Sequence, residues 1–80
     1  IGGNMNISIE YCSMWNYLPR AASLANEILE KYGTDVKELT LIPSGGGVFE
    51  VIKNGDLIFS KKSLDRFPDD GEAMNLIESG

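Results

Sequence analysis

The chain carries one cysteine, Cys12, and no histidine. A thiol reacts as its thiolate, and with no imidazole to take the proton, Cys–His nucleophilic pairs and most zinc sites are ruled out together. A lone cysteine forms no internal disulfide, so nothing points to a secreted scaffold held by disulfides. Two readings of Cys12 stand side by side: a reactive thiol, or a small, inert core residue. The remaining polar clusters read more plainly. Asp69, Asp70 and Glu72 suit a helix cap with dipole compensation better than a metal site. The Lys61-Lys62 pair reads as a solvated strand end. Gly45-Gly46-Gly47 allows close approach of a ligand backbone, but lacks the spacing and following helix of a phosphate loop.

The elements that must position Cys12 follow from hydrophobic periodicity. Ile7, Ile9 and Tyr11 alternate with Asn6, Ser8 and Glu10, which predicts a strand over Asn6–Tyr11 with one face toward water. Leu18, Ala21, Ala22, Ala25, Ile28, Leu29 and Tyr32 then recur at spacings of three and four, as on an amphipathic helix. Pro19 suits its first turn and Gly33 its C-terminal stop. A second strand is expected over Lys37–Ile42, parallel to the first because a helix connects them. Pro43 to Gly47 break the chain, and Val48–Lys53 form a third strand. Asn54-Gly55 between this run and Asp56–Ser60 is a strong signal for a two-residue hairpin. A charged link, Lys61–Arg66, leads to a last helix, capped by Asp at Phe67-Pro68-Asp69-Asp70, whose buried side is Ala73, Met74, Leu76 and Ile77. The order β-α-β-β-β-α implies an α/β fold, a two-layer α+β sandwich with both helices on one face of a four-stranded mixed sheet.

The totals agree with one small domain. Eighty residues, 42% apolar and 24% charged, close a single core of limited depth. A net charge of -5 disfavours nucleic acid and anionic membranes as partners. No apolar run reaches the roughly 20 residues of a membrane span and no secretory signal is visible, so a cytoplasmic protein is expected. Residues 6–80 are read as the domain, and residues 1–4, before Met5, as an appended remnant or a flexible tail.

This order of elements is the minimal thioredoxin-like arrangement, and it puts Cys12 between the first strand and the first helix, where unpaired N–H groups and the helix dipole favour a thiolate. The chain resembles the selenoprotein W, T and H group, the Rdx family. The resemblance is carried by Ile9-Glu10-Tyr11-Cys12, by Asn16-Tyr17-Leu18-Pro19-Arg20, and by Pro43 ahead of Gly47-Val48-Phe49-Glu50-Val51. It continues through Gly55-Asp56-Leu57-Ile58-Phe59-Ser60-Lys61-Lys62 and Arg66-Phe67-Pro68. Each motif alone is weak; their order and spacing together are specific.

The resemblance implies a thioredoxin-like fold and a role in cell redox homeostasis, with glutathione or a protein thiol as partner and no cofactor. In that family the first strand ends in Cys-x-x-Sec or Cys-x-x-Cys. The first chalcogen maps onto Cys12 and the second onto Trp15, which is no thiol. Dithiol exchange within one chain is therefore excluded, because an indole neither attacks nor resolves a disulfide. What remains is a monothiol cycle, with Ser13 as a hydrogen-bond donor to the sulfur and Arg20 as a source of positive field. Each of those two side chains also reads as an ordinary solvated residue. Trp15 is either a platform for a peptide or glutathione backbone or a cap over the helix start. Pro43 stands several residues earlier than the proline that faces the cysteine in thioredoxin-like folds, and reads as a trans proline ending the second strand. The alternative to redox chemistry is a non-catalytic interaction module that uses Met14, Trp15 and Phe67. The chain is then a monomer or a weak dimer, or a redox-dependent dimer through Cys12.

Overall fold

A computed structural model describes residues 3–79. Strand β1 (Met5–Cys12) leads through a turn into helix α1 (Leu18–Tyr32), and a 3₁₀ turn (Gly33–Asp35) leads into β2 (Val36–Ser44). Strands β3 (Phe49–Lys53) and β4 (Asp56–Ser60) follow, then a single helical turn α2 (Lys61–Leu64) and helix α3 (Glu72–Ser79). The sheet order is β2-β1-β3-β4, with β1 and β2 parallel and the other pairs antiparallel. The fold is the mixed four-stranded α+β arrangement expected.

Register defines the two faces. Ile9 stands opposite Val51, Tyr11 opposite Phe49, and Val51 opposite Phe59, while Leu39 and Leu41 lie level with Ile7 and Ile9. These residues share one face, and Ala21, Leu24, Ala25 and Ile28 of α1 join Ala73 and Ile77 of α3 in the core against it. Both helices therefore cover the same side. Full burial of a side chain such as Ile9 contributes on the order of 2 kcal/mol.

Local chemistry explains the joints. Asn54 and Gly55 have φ of 51° and 86°, the two positive values that a type I′ turn requires. The Asn54 side-chain oxygen also accepts the Asn6 N–H at 2.8 Å, tying the hairpin to β1. Lys53 donates from Nζ to the Ile77 carbonyl at 2.6 Å, near the negative end of α3.

Several expectations change in detail. Strands β1 and β2 are longer than the periodicity indicated, so Cys12 is the last residue of β1 and Pro43 lies inside β2, while β3 begins one residue later, at Phe49. Proline is tolerated there because β2 is an edge strand. The Ser44 carbonyl points at β1, where it accepts the Ser13 N–H, so by strand alternation Pro43 turns its missing N–H outward. On α1, Leu18, Ala22 and Leu29 face solvent, and Leu24 takes the core position instead. The Lys61–Arg66 link contains α2, whose cap is Ser60, accepting the Ser63 N–H at 3.1 Å. At α3 no Asp side chain caps the helix among the described residues; Glu72, its first residue, reaches back to accept the Asp69 N–H at 2.9 Å and so braces the segment that leads into the helix. Of the N-terminal stretch, residues 1 and 2 lie outside the described residues, as does residue 80. Gly3 lies against the start of β2, where a Cβ would come within 2.6 Å of the Lys37 nitrogen. No helix among the described residues is long and apolar enough to cross a membrane.

Candidate functional site

Cys12 closes the central strand β1, flanked on one side by Ser44 of β2 and on the other by Val48, whose carbonyl accepts the Cys12 N–H at 2.9 Å. Alternation turns its side chain away from the core face that Tyr11 occupies, toward the face shared by Glu10 and Glu50. The residue is nevertheless only 1% exposed and belongs to no part of the core cluster. The thiol thus sits beneath the surface of the site.

The turn over it is well anchored. Tyr17 N–H donates to the Cys12 carbonyl at 3.1 Å and Asn16 N–H to the Ser13 carbonyl at 3.3 Å, with Asn16 at φ 60°. The Ser13 N–H and hydroxyl both donate to the Ser44 carbonyl, at 2.9 and 3.3 Å. Ser13 therefore spends its hydroxyl proton on backbone rather than on sulfur. Met14 and Trp15 project outward, 86% and 62% exposed.

One edge of the Trp15 ring rests on Gly47. A Cβ at Gly47 would lie within 2.9 Å of Trp15 Cε3 and nearer still to Cζ3, and Gly47 has φ +72°. Trp15 is thus packed along one edge, on the loop between β2 and β3, and open elsewhere. It begins an aromatic series: Trp15 meets Tyr17 at 6.2 Å, Tyr17 meets Phe67 at 4.7 Å, and Phe67 meets Phe49 at 5.4 Å, all edge-on. The Arg20 guanidinium lies 4.0 Å over Phe67, and Lys61 Nζ lies 5.5 Å over Tyr17. Arg20 is thereby held on Phe67. Pro43, trans and exposed, lies level with Tyr11, so Ser44 rather than Pro43 stands beside Cys12.

Tyr17, Ser44 and the buried Glu50 were not among the expected site residues, and Lys61, expected as part of a solvated strand end, instead lies over Tyr17 and Phe67. The Glu50 carboxylate accepts from Ser60 Oγ at 2.5 Å and from the Lys62 and Phe49 N–H groups at 3.2 and 3.3 Å, which joins β3 to the start of α2. Arg66 approaches Glu72 with two nitrogens at 2.7 and 3.0 Å, and with the Asp69 N–H this holds the Glu72 carboxyl down at about 2. The acidic cluster is thus a helix brace, and among the described residues no group of side chains is arranged to hold a metal ion.

Taken together, the site presents an exposed Met-Trp tip, an aromatic series carrying two cations, and a single thiol just below. Its one sulfur can form one mixed disulfide at a time. A family model described as the Rdx family matches residues 6–79. A solved protein from Bordetella parapertussis superposes with a TM-score of 0.87 at 32% identity, covering 94% of this chain and 95% of that one. A selenoprotein W-related protein from Vibrio cholerae gives a TM-score of 0.87 at 29% identity, covering 94% of each chain. Migration and invasion enhancer 1 of Mus musculus is 31% identical over 77 residues, 95% of this chain. The present chain spans 64% of that mouse protein's length.

Proposed function

The chain belongs to the Rdx family, and from that premise we propose that it is a selenoprotein W-like thiol redox protein acting in the cytoplasm through Cys12 alone. The Cys12 thiolate attacks one sulfur of oxidised glutathione or of a partner's disulfide. A bond forms between Cys12 and that sulfur as the old S–S bond breaks, and the other half leaves as a thiolate. An external thiolate then attacks the partner's sulfur in the mixed disulfide, which frees Cys12 as a thiolate and carries the partner off as a new disulfide. A second external thiolate attacks that new disulfide and releases the partner's remaining thiolate, so that two external thiols together supply the two electrons that reduce the original disulfide, and Cys12 ends as it began.

The observation that supports this reading is the place of Cys12, the last residue of β1, directly before the turn that leads into α1. At 1% exposure Cys12 must be uncovered by local motion before its sulfur reacts. Incubation with oxidised glutathione followed by intact mass measurement tests the proposal. One glutathione adduct on the native chain and none on Cys12→Ser is the expected result; no adduct on the native chain overturns it.

A second reading is favoured by the contrast between the buried Cys12 and the exposed Met14 and Trp15. Here the chain is a non-catalytic interaction module whose contact surface is Met14, Trp15 and Phe67. Cys12→Ser then leaves partner binding and cellular role intact, whereas the redox reading requires both to fail. Non-reducing electrophoresis separates a third outcome, a dimer linked through Cys12.

A further inference from the structure

Away from Cys12, a groove runs between α1 and the segment from Phe67 into α3. Its two adjoining parts hold about 550 and 460 Å3 and share Glu27, Gly71 and Met74. The floor is apolar, made by Leu24, Phe49, Ala73 and Met74, with Phe67 and Pro68 at one end. The walls are acidic. Glu27 and Glu30 on α1 and Asp70 across from them have no ion pair among the described residues. The basic side chains stand at the ends and are engaged, Arg20 on the Phe67 ring at 4.0 Å and Lys31 on Glu78 at 3.1 Å.

We infer that this groove binds a short basic and apolar segment of a partner protein. Charge complementarity selects the occupant: cations of a segment seated in the groove meet the carboxylates of Glu27 and Asp70, which have no ion pair among the described residues, on a protein of net charge -5. Apolar side chains of the same segment cover the half-buried Phe67, Pro68 and Met74. From Pro19 to Lys31 the α1 wall is about 18 Å long at 1.5 Å per residue, which matches about five or six residues of extended chain. An acidic segment meets like charge along both walls. The inference uses no chemistry of Cys12, and neither Cys12 nor Trp15 lines the groove.

The probe is a fluorescein-labelled peptide of alternating Lys and Leu, about six residues long, titrated into the whole chain by fluorescence anisotropy. Amide chemical shifts of the chain are followed in parallel. Saturable binding with shifts at Leu24, Glu27, Gly71 and Met74 is expected. The double variant Glu27→Gln with Asp70→Asn raises Kd by about tenfold, as does the step from low to high salt. Glu38→Gln, an exposed acidic residue of β2 outside the groove, changes Kd by less than about twofold. The shift map of each variant also reports that it is folded. The proposal is overturned if an Asp-Leu peptide binds equally well, if the double variant keeps its affinity, or if the shifts centre on Met14 and Trp15. It is also overturned if sedimentation shows that a second copy of the chain covers the groove.

Discussion

The ring of Trp15 lies so close over Gly47 that the glycine has no room for a side chain, and this contact ties the turn after Cys12 to the loop between β2 and β3.

Gly47→Ala therefore acts twice. The new methyl meets Trp15, and the left-handed backbone at φ +72° disfavours any Cβ. Left-handed strain alone costs about 1–2 kcal/mol. Displacing Trp15 also loosens the turn that follows directly on the buried Cys12. The expected result is a lower urea midpoint, a shift in tryptophan emission, and alkylation of Cys12 by iodoacetamide that is faster than in the native chain. Unchanged alkylation with altered emission would mean that Trp15 does not control access to the sulfur.

Trp15→Cys places a second thiol at the position where the family carries its resolving chalcogen. A neighbouring thiolate displaces glutathione from Cys12 and leaves an internal disulfide. Oxidised glutathione should then give a chain about 2 Da lighter instead of a glutathione adduct. Persistence of the adduct in this variant argues that the turn cannot bring residues 12 and 15 together.

Glu50→Leu removes the acceptor for Ser60 Oγ and the Lys62 and Phe49 N–H groups in a buried setting. Unsatisfied buried donors make this loss worth about 3 kcal/mol, seen as a lower urea midpoint at constant m-value. Glu10 is the cross-strand partner of Glu50, and like charges directly opposite are unfavourable. Glu10→Gln should accordingly leave stability unchanged or raise it, by about 0.5 kcal/mol.

Glu72 governs the acid side of α3. Its folded carboxyl is held at about 2, below the ordinary 4.5, chiefly by the Arg66 hydrogen bonds and then by the Asp69 N–H. A carboxyl lowered in the folded state contributes stability above its ordinary value and loses that contribution as pH falls toward about 2. Glu78, lowered by the Tyr32 hydroxyl and by Lys31, adds loss in the same direction. Protection of the Asp69 amide against exchange, corrected for the intrinsic rate at each pH, should fall between pH 4.5 and about 2. Glu72→Gln should flatten that response at Asp69.

Much of the fold was legible because its signals are local. Alternation marked β1, and Asn54-Gly55 marked the hairpin down to the sign of both φ angles. The site was only half legible. Burial of Cys12 depends on the turn and on strands β2 and β3, which are distant in sequence, and Glu50 alternates like any solvated strand residue until Ser60 and Lys62 come across to it. On α1 the alanines and leucines fit two adjacent stripes equally well, and only the packed sheet selects Leu24 over Leu18 and Leu29. The turn α2 is one helical turn long, too short for a periodic pattern, though Ser60 and Ser63 mark its cap.

Pro43 sets a limit on how anything can approach the thiol. Along its outer edge β2 offers hydrogen bonds to an incoming strand, but at the level of Tyr11, one residue before Ser44 and Cys12, the proline has no N–H to give. A guest strand that tried to extend the sheet would meet a missing rung beside the reactive end. The sheet is thereby guarded against growing edge to edge at the end of β1 where the chain's only thiol lies.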